Sequence, residues 1–105
     1  MSTRATINIC DGQENYFVYR HCDGFPDIIE PDILAAIERN KLLSGSNPGH
    51  LVSVLLGMTF RPKERVQNYE MTTAFHGDES YKYFVKWNDK DQSWHLEPQA
   101  GGRQR

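Results

Sequence analysis

The sequence has no basic stripe. Lysine and arginine number 12 against 14 acidic residues, for a net charge of −2, and Arg103 with Arg105 is the one basic cluster outside mixed-charge segments. Neutralising phosphates is a major source of affinity for nucleic acids, so this balance argues against a nucleic-acid partner. Long apolar runs are also missing. "MSTRATINIC" holds no stretch of signal-peptide character. The longest apolar run, "LVSVLLGM", is far too short for a bilayer. No membrane role is expected, and a soluble cytoplasmic protein is. Cysteine is scarce: Cys10 and Cys22 lie outside C-x-x-C spacing and outside any metal-ligand pattern. His21, His50, His76 and His95 are widely spaced, with no H-x-x-H or H-E-x-x-H, so neither a metal nor a cofactor is expected. "LLSGSNPGH" lacks the lysine that a phosphate loop needs.

What the sequence has is enough apolar material for a core. At 105 residues with 38% hydrophobic content, it fits one domain that needs no staples. Residues 1–98 are assigned to that domain. Residues 99–105, without large apolar side chains, are expected to be a flexible tail.

The periodicity falls into two kinds. In "TRATINI", Thr3, Ala5, Ile7 and Ile9 alternate with polar residues, as in a strand with one buried face. "DGQE" carries an Asp-Gly turn signal. In "NYFVYRH", Phe17 and Tyr19 share one face while Tyr16, Val18 and Arg20 share the other. The register of this hairpin sets Cys10 opposite Asn15 and Cys22 opposite Thr3. The two sulfurs are then about 20 Å apart at about 3.4 Å per residue, far beyond the roughly 7 Å limit for a disulfide, so two free thiols are expected. From "EPDILAAIERNKLL" onward the spacing is helical. Pro31 suits a first helical position, which predicts a short turn over 26–30 and then the main helix. The rival start uses Asp27 as N-cap and sets Pro31 inside the helix. Asn47 and Pro48 start a second helix, with Gly57 as its expected C-cap. Its apolar residues spread over more than half its circumference. Three strand-like runs follow, "YEMTTAF", "SYKYFVKW" and "SWHLE". The order ββααβββ predicts an α+β fold, one antiparallel sheet with two helices packed on one face. The other face is expected to meet solvent and to carry several tyrosines.

"STRATI" at Ser2–Ile7 and "YRHCDGFP" at Tyr19–Pro26 together resemble a group of small uncharacterised proteins of bacteria, phages and mobile elements. Those begin near S-T-R-A-T-I and carry a segment like Y-R-H-x-D-G-Y-P before a helix. Here Cys22 fills the variable position and Phe25 replaces the tyrosine; the resemblance reaches to about Ala35. It implies an accessory gene, carried by a mobile element, rather than a metabolic enzyme, and it implies no particular chemistry.

The reactive residue types concentrate in "YRHCDGFP". His21 and Cys22 could pair as base and nucleophile, but adjacent strand residues face opposite ways. The segment therefore reads as a turn, with Gly24 at positive φ and Pro26 fixing the approach to the helix. Arg4 falls opposite His21 in the hairpin register. Arg4, Arg20, His21 and Asp23 thus form the candidate small-molecule or anion site, since guanidinium suits a planar bidentate anion. Asp89 and Asp91 read as a polar hairpin loop. Tyr83 and Trp87 belong to an aromatic set larger than one covered face requires, a candidate binding platform. Trp87 and Trp94 are placed to stack across their turn. Leu51, Val52, Leu55 and Leu56, on the over-wide apolar helix, mark a candidate interface. No catalytic set is assigned. The expected function is a non-enzymatic interaction protein, a homodimer that binds a protein partner. The alternative is a small-molecule or anion-binding protein, or a cryptic enzyme, built around Arg4, His21 and Asp23.

Overall fold

The central strand sets the plan. In the computed structural model, which describes residues 3–43, 45–64 and 66–98, strand β1 (Ala5–Cys10) is bonded on both sides. On one side lies β2 (Asn15–Arg20), antiparallel, with Cys10 opposite Asn15 and Ala5 opposite Arg20. The turn between them has Gly12 at φ +102°, a conformation that suits glycine, and the Asp11 carboxylate accepts from the Gln13 and Glu14 amides. The hairpin register is the one the sequence predicts.

Two helices follow: α1 (Pro26–Asn40) and α2 (Pro48–Thr59). A two-residue ribbon, β3 (Phe60–Arg61) with β4 (Val66–Gln67), separates them from β5 (Glu70–Thr72), β6 (Tyr81–Asn88) and β7 (Ser93–Leu96). The main sheet has the order β5-β2-β1-β6-β7. The architecture is α+β, in the predicted ββααβββ order apart from the added ribbon. Ala5, Ile7, Ile9, Val18, Tyr83 and Val85 line the helix side, and Ile29, Ile33, Leu51 and Leu55 cover them. Residues 99–105, read as a flexible tail, lie outside the described residues.

Three expectations about the helices and the strand directions change. First, α1 begins at Pro26, not Pro31. The stripe Ile29, Ile33, Ala36 and Ile37 is continuous at helical spacing and buried throughout. Burying Ile29 and completing the stripe is worth roughly 1.5–3 kcal/mol, comparable with the roughly 3 kcal/mol cost of an interior proline. Second, α2 runs to Thr59, two residues past Gly57, because the Thr59 hydroxyl donates to the Leu55 carbonyl at 3.0 Å and Phe60 closes the helix through the Gly57 carbonyl. Third, the sheet is mostly but not wholly antiparallel: β1 and β6 run parallel, Ala5 opposite Tyr81 and Ile9 opposite Val85.

The parallel pair follows from the route of the chain. β5 is only three residues long. Residues 73–80 then cross β2 and β1 on the face away from the helices and enter β6 level with the start of β1. This strap covers the face expected to meet solvent. Phe75 packs edge-on against Phe17, with centroids 5.1 Å apart, and lies 5.7 Å from Phe84. His76 stacks on Tyr19 at 3.6 Å. Glu79 accepts from the Thr6 hydroxyl and from the His76 and Gly77 amides.

The "YRHCDGFP" segment is a clamp between sheet and helix. Positive φ falls on Asp23 (+57°), not on Gly24. Gly24 is required by proximity instead: a Cβ there would lie 2.7 Å from the Ala5 Cβ and 3.0 Å from the Thr3 carbonyl oxygen. Its amide donates to that oxygen at 2.8 Å, and its own carbonyl accepts from the Tyr83 hydroxyl at 2.8 Å. Gly24→Ala is therefore expected to destabilise the fold by about 1–3 kcal/mol. Asp23→Gly, which relieves a left-handed backbone, leaves stability unchanged or raises it. Urea unfolding of both variants distinguishes the close-approach role from the turn role.

Candidate functional site

The residues assigned to an anion or catalytic site separate by face. Arg20 turns to the helix side and is buried. Its Nε donates to the Cys22 carbonyl at 2.6 Å, its Nη1 lies 3.8 Å from the Asp32 carboxylate, and its guanidinium sits 5.1 Å from the Tyr69 ring centroid. Tyr69 donates to the same Asp32 carboxylate at 2.8 Å. Burial, then Asp32, pushes the Tyr69 hydroxyl well above the usual tyrosine range. Arg20 thus ties β2, the clamp and α1 together, and it is not free to receive a ligand.

Arg4 and His21 lie on the far face but are held by different carboxylates. Arg4 pairs with Asp78 at 3.2 Å and His21 with Glu70 at 3.5 Å. Asp23 sits in the exposed left-handed turn. The carboxylate that joins this neighbourhood is Asp78, which also accepts from the Tyr19 hydroxyl at 3.1 Å. Burial and then Asp78 raise the Tyr19 hydroxyl above its ordinary value. For Glu79, the raising effect of burial is outweighed by donors from Thr6, His76 and Gly77, and its carboxyl sits below the usual range. Arg4, His21 and Asp23 do not aim at a common point. Cys10 and Cys22 are free thiols, half-buried and exposed.

A second set imitates a hydrolytic triad. Asp91, Ser93 and His95 meet on the β6–β7 hairpin, with Ser93 Oγ and Asp91 Oδ2 each 2.9 Å from His95. Both contacts fall on the same nitrogen, Nε2. A base that relays a proton uses one ring nitrogen toward the nucleophile and the other toward the carboxylate. Ser93 also donates directly to Asp91 at 2.7 Å; Ser93 first, and then His95, holds the Asp91 carboxyl below its usual range. The set fastens the turn. Among the described residues, no group of three or more His, Cys, Asp or Glu is placed to hold a metal ion.

A concave feature lies beside that hairpin. A cleft of about 490 Å³ opens between the C-terminal end of α1 and the β6–β7 turn, lined by Ile37, Asn40, Lys41, Gly45, Trp87 and Trp94, with 91–93 along one edge. Trp87 and Trp94 are register partners, and their rings meet edge-on at 5.5 Å. Trp87 Nε1 donates to Asp89 at 2.8 Å. Trp87 is half-buried and forms one wall. Tyr83, the other residue assigned to an aromatic platform, is wholly buried and belongs to the core. Leu51, Val52 and Leu55, assigned to an interface, are buried within the chain between α1 and the sheet; Leu56 is half-buried against the same core. Asn40 is missing from the residues the sequence singles out, although its position carries a signal. It stands where the stripe 29, 33, 36, 37 calls for an apolar residue, and it is 2% exposed.

The perturbed groups predict how stability responds to pH. Glu79 is depressed in the folded state, so its contribution is present above the ordinary glutamate value, about 4.3, and is lost as pH falls through the folded value. Tyr19 and Tyr69 are raised, so their contribution is present below about 10 and is lost as pH rises. Urea midpoints measured from pH 3 to 11 are expected to fall at both ends. Glu79→Gln flattens the acid limb and Tyr69→Phe the alkaline one.

No helix among the described residues is long and apolar enough to cross a membrane. Compared with protein-family models, with curated proteins and with solved structures, the chain matches none.

Proposed function

We propose that this protein works by binding another protein rather than by catalysis, and that the tryptophan cleft is its recognition surface. One observation carries the reading: a concave site walled by a half-buried tryptophan adjoins exposed leucines. Leu42 and Leu43 stand between Lys41 and Gly45, which both line the cleft, and they are 89% and 52% exposed. Ordering large apolar side chains at the surface beside an aromatic pocket disfavours the free protein and favours contact with a partner. The cleft volume lies within the usual range for a recognition pocket. The sets that look reactive support the same reading, since one lacks relay geometry and the other is divided between two carboxylates. The free thiols suit a reducing compartment such as the cytoplasm. The α2 surface no longer supports a homodimer, because three of its four candidate residues are covered by the chain's own sheet and helix.

Leu42→Asp combined with Leu43→Asp changes only exposed side chains and is expected to leave the unfolding midpoint nearly unchanged. A photo-crosslinking group placed at Lys41, whose exposed side chain lines the cleft, reports partner capture in cells of the source. Capture is expected to fall at least tenfold in the double variant and to persist in Arg4→Ala with Glu70→Ala on the far face. Capture that survives the leucine changes and is lost with the far-face pair overturns the assignment.

A further inference from the structure

Helix α1 carries two apolar stripes. Ile29, Ile33, Ala36 and Ile37 are buried in the core. Ile28, Pro31, Leu34 and Ala35 recur at helical spacing on the opposite side. Ile28 is 40% exposed, Leu34 is 54% exposed, and Pro31 is exposed as well. A helix covered on one side gains nothing within its own chain from isoleucine and leucine on the other, and contiguous exposed apolar residues mark a contact surface. The charges beside this outer stripe are graded along the axis. Asp27 and Glu30 stand near its start, Arg39 and Lys41 at its end. That order suits the helix dipole, and it also makes the face complementary to itself in reverse. Asp27 and Glu30 make no ion pair among the described residues. Lys41, whose side chain is largely exposed, has only Glu38 of its own turn, at 3.1 Å.

We propose that the outer face of α1 binds a second copy of this chain, the two helices packing antiparallel about a two-fold axis near Ala35. Its small side chain lets the helix axes approach to about 8–10 Å. Residues equally far from the axis in opposite directions come level, so Lys41 arrives beside the segment 27–30 of the second copy. Asp27, Glu30 and Lys41 fall on the same flank of the stripe, and a two-fold axis brings like flanks together. Each Lys41 therefore meets the Asp27 and Glu30 carboxylates of the other copy, once at each end, and an ammonium has donors to spare beyond its bond to Glu38. Ile28, Pro31 and Leu34 of the two copies close over one another between these ends. A parallel pair would set acids against acids, and a foreign segment of one charge would match only one end of the face. One helix pair lies at the small end of specific interfaces, below about 1,200 Å² in total, so the dimer is expected to be weak and governed by concentration. Leu42 and Leu43 lie beyond the helix and take no part, so the dimer stands apart from the cleft reading above.

The test is sedimentation equilibrium of the full chain between roughly 10 µM and 1 mM, concentrations that bracket a weak interface. A monomer–dimer equilibrium is expected. Leu34→Glu changes an exposed side chain, so its urea midpoint at low concentration is expected to hold while its dimerisation weakens at least tenfold. Two charge variants read the orientation. One chain carries Asp27→Lys with Glu30→Lys, and the other carries Lys41→Glu; circular dichroism checks that each is folded. Alone, each variant sets like charges together at both ends and is expected to stay monomeric. Mixed in equal amounts, the two match at both ends, and a heterodimer is expected to form about as tightly as the unaltered dimer. A monomer at the highest concentration overturns the proposal, and so does a dimer that survives Leu34→Glu. A mixture that stays monomeric, or charge variants that each dimerise as the unaltered chain does, overturns the antiparallel arrangement.

Discussion

Burial of β1 on both faces is the constraint from which the rest of the architecture follows. The strand is bonded on both sides, and its side chains lose water in both directions: Ala5, Ile7 and Ile9 toward the helices, Thr6 and Asn8 away from them. Two helices can cover one face only. The other needs a second layer with a hydrogen-bond acceptor for Thr6, since a buried polar group without a partner is costly and only Asn8 finds its acceptors on β2. The 73–80 strap supplies it, bringing Glu79 to Thr6, Asp78 to Tyr19 and Phe75 to Phe17 and Phe84. A strap crossing from the β2 edge delivers the chain to the starting end of β1. The parallel pairing of β6 is thus part of the same solution.

The clamp after β2 shows how reactive side chains can be consumed by structure. A buried guanidinium is tolerable only when its charge and donors are matched. Arg20 has the Cys22 carbonyl, the Asp32 carboxylate and the Tyr69 ring around it. Asp32 in turn receives the Tyr69 hydroxyl, so β2, α1 and the approach to β5 meet at one carboxylate. The neighbouring His21 and Arg4 are engaged on the opposite face. Strand alternation separates Arg20 from His21, and that separation leaves no shared site.

Legibility followed the range of the interaction. The strands at 5–9 and 81–87, the Asp11–Gly12 turn and the Asn47 cap are local, and the sequence reading of each matches the structure, whereas the second buried face of β1 depends on distant residues and is not read. The start of α1 was misread because proline has a strong local cost, while the apolar stripe across Pro31 is a sum over four turns. The first part of the strap reads as the end of the strand-like run "YEMTTAF", since Phe75 becomes informative only when β2 and β6 are known to lie beneath it. Gly24 was rightly marked as special for the wrong reason: the backbone against which it packs is β1, about twenty residues earlier in the chain. At the cleft, Trp87 and Trp94 were visible through hairpin register. Asn40 was not singled out, although a polar residue on an apolar stripe is a detectable fault in the pattern.

That fault has an energetic meaning. A small domain is stable by only about 5–15 kcal/mol, and each buried unpaired donor or acceptor removes about 1–3 kcal/mol of it. In the free chain, desolvation of the Asn40 carbonyl and the Trp94 indole has already occurred. Both atoms are closed to solvent, so the fold itself carries that cost. Lys41 and Asp91 contribute less, because each is already engaged by a neighbour. The exposed Leu42 and Leu43 add a cost of a different kind, since their apolar surface orders water. Engaged charge, unmatched neutral polarity and apolar exposure coincide at one end of α1.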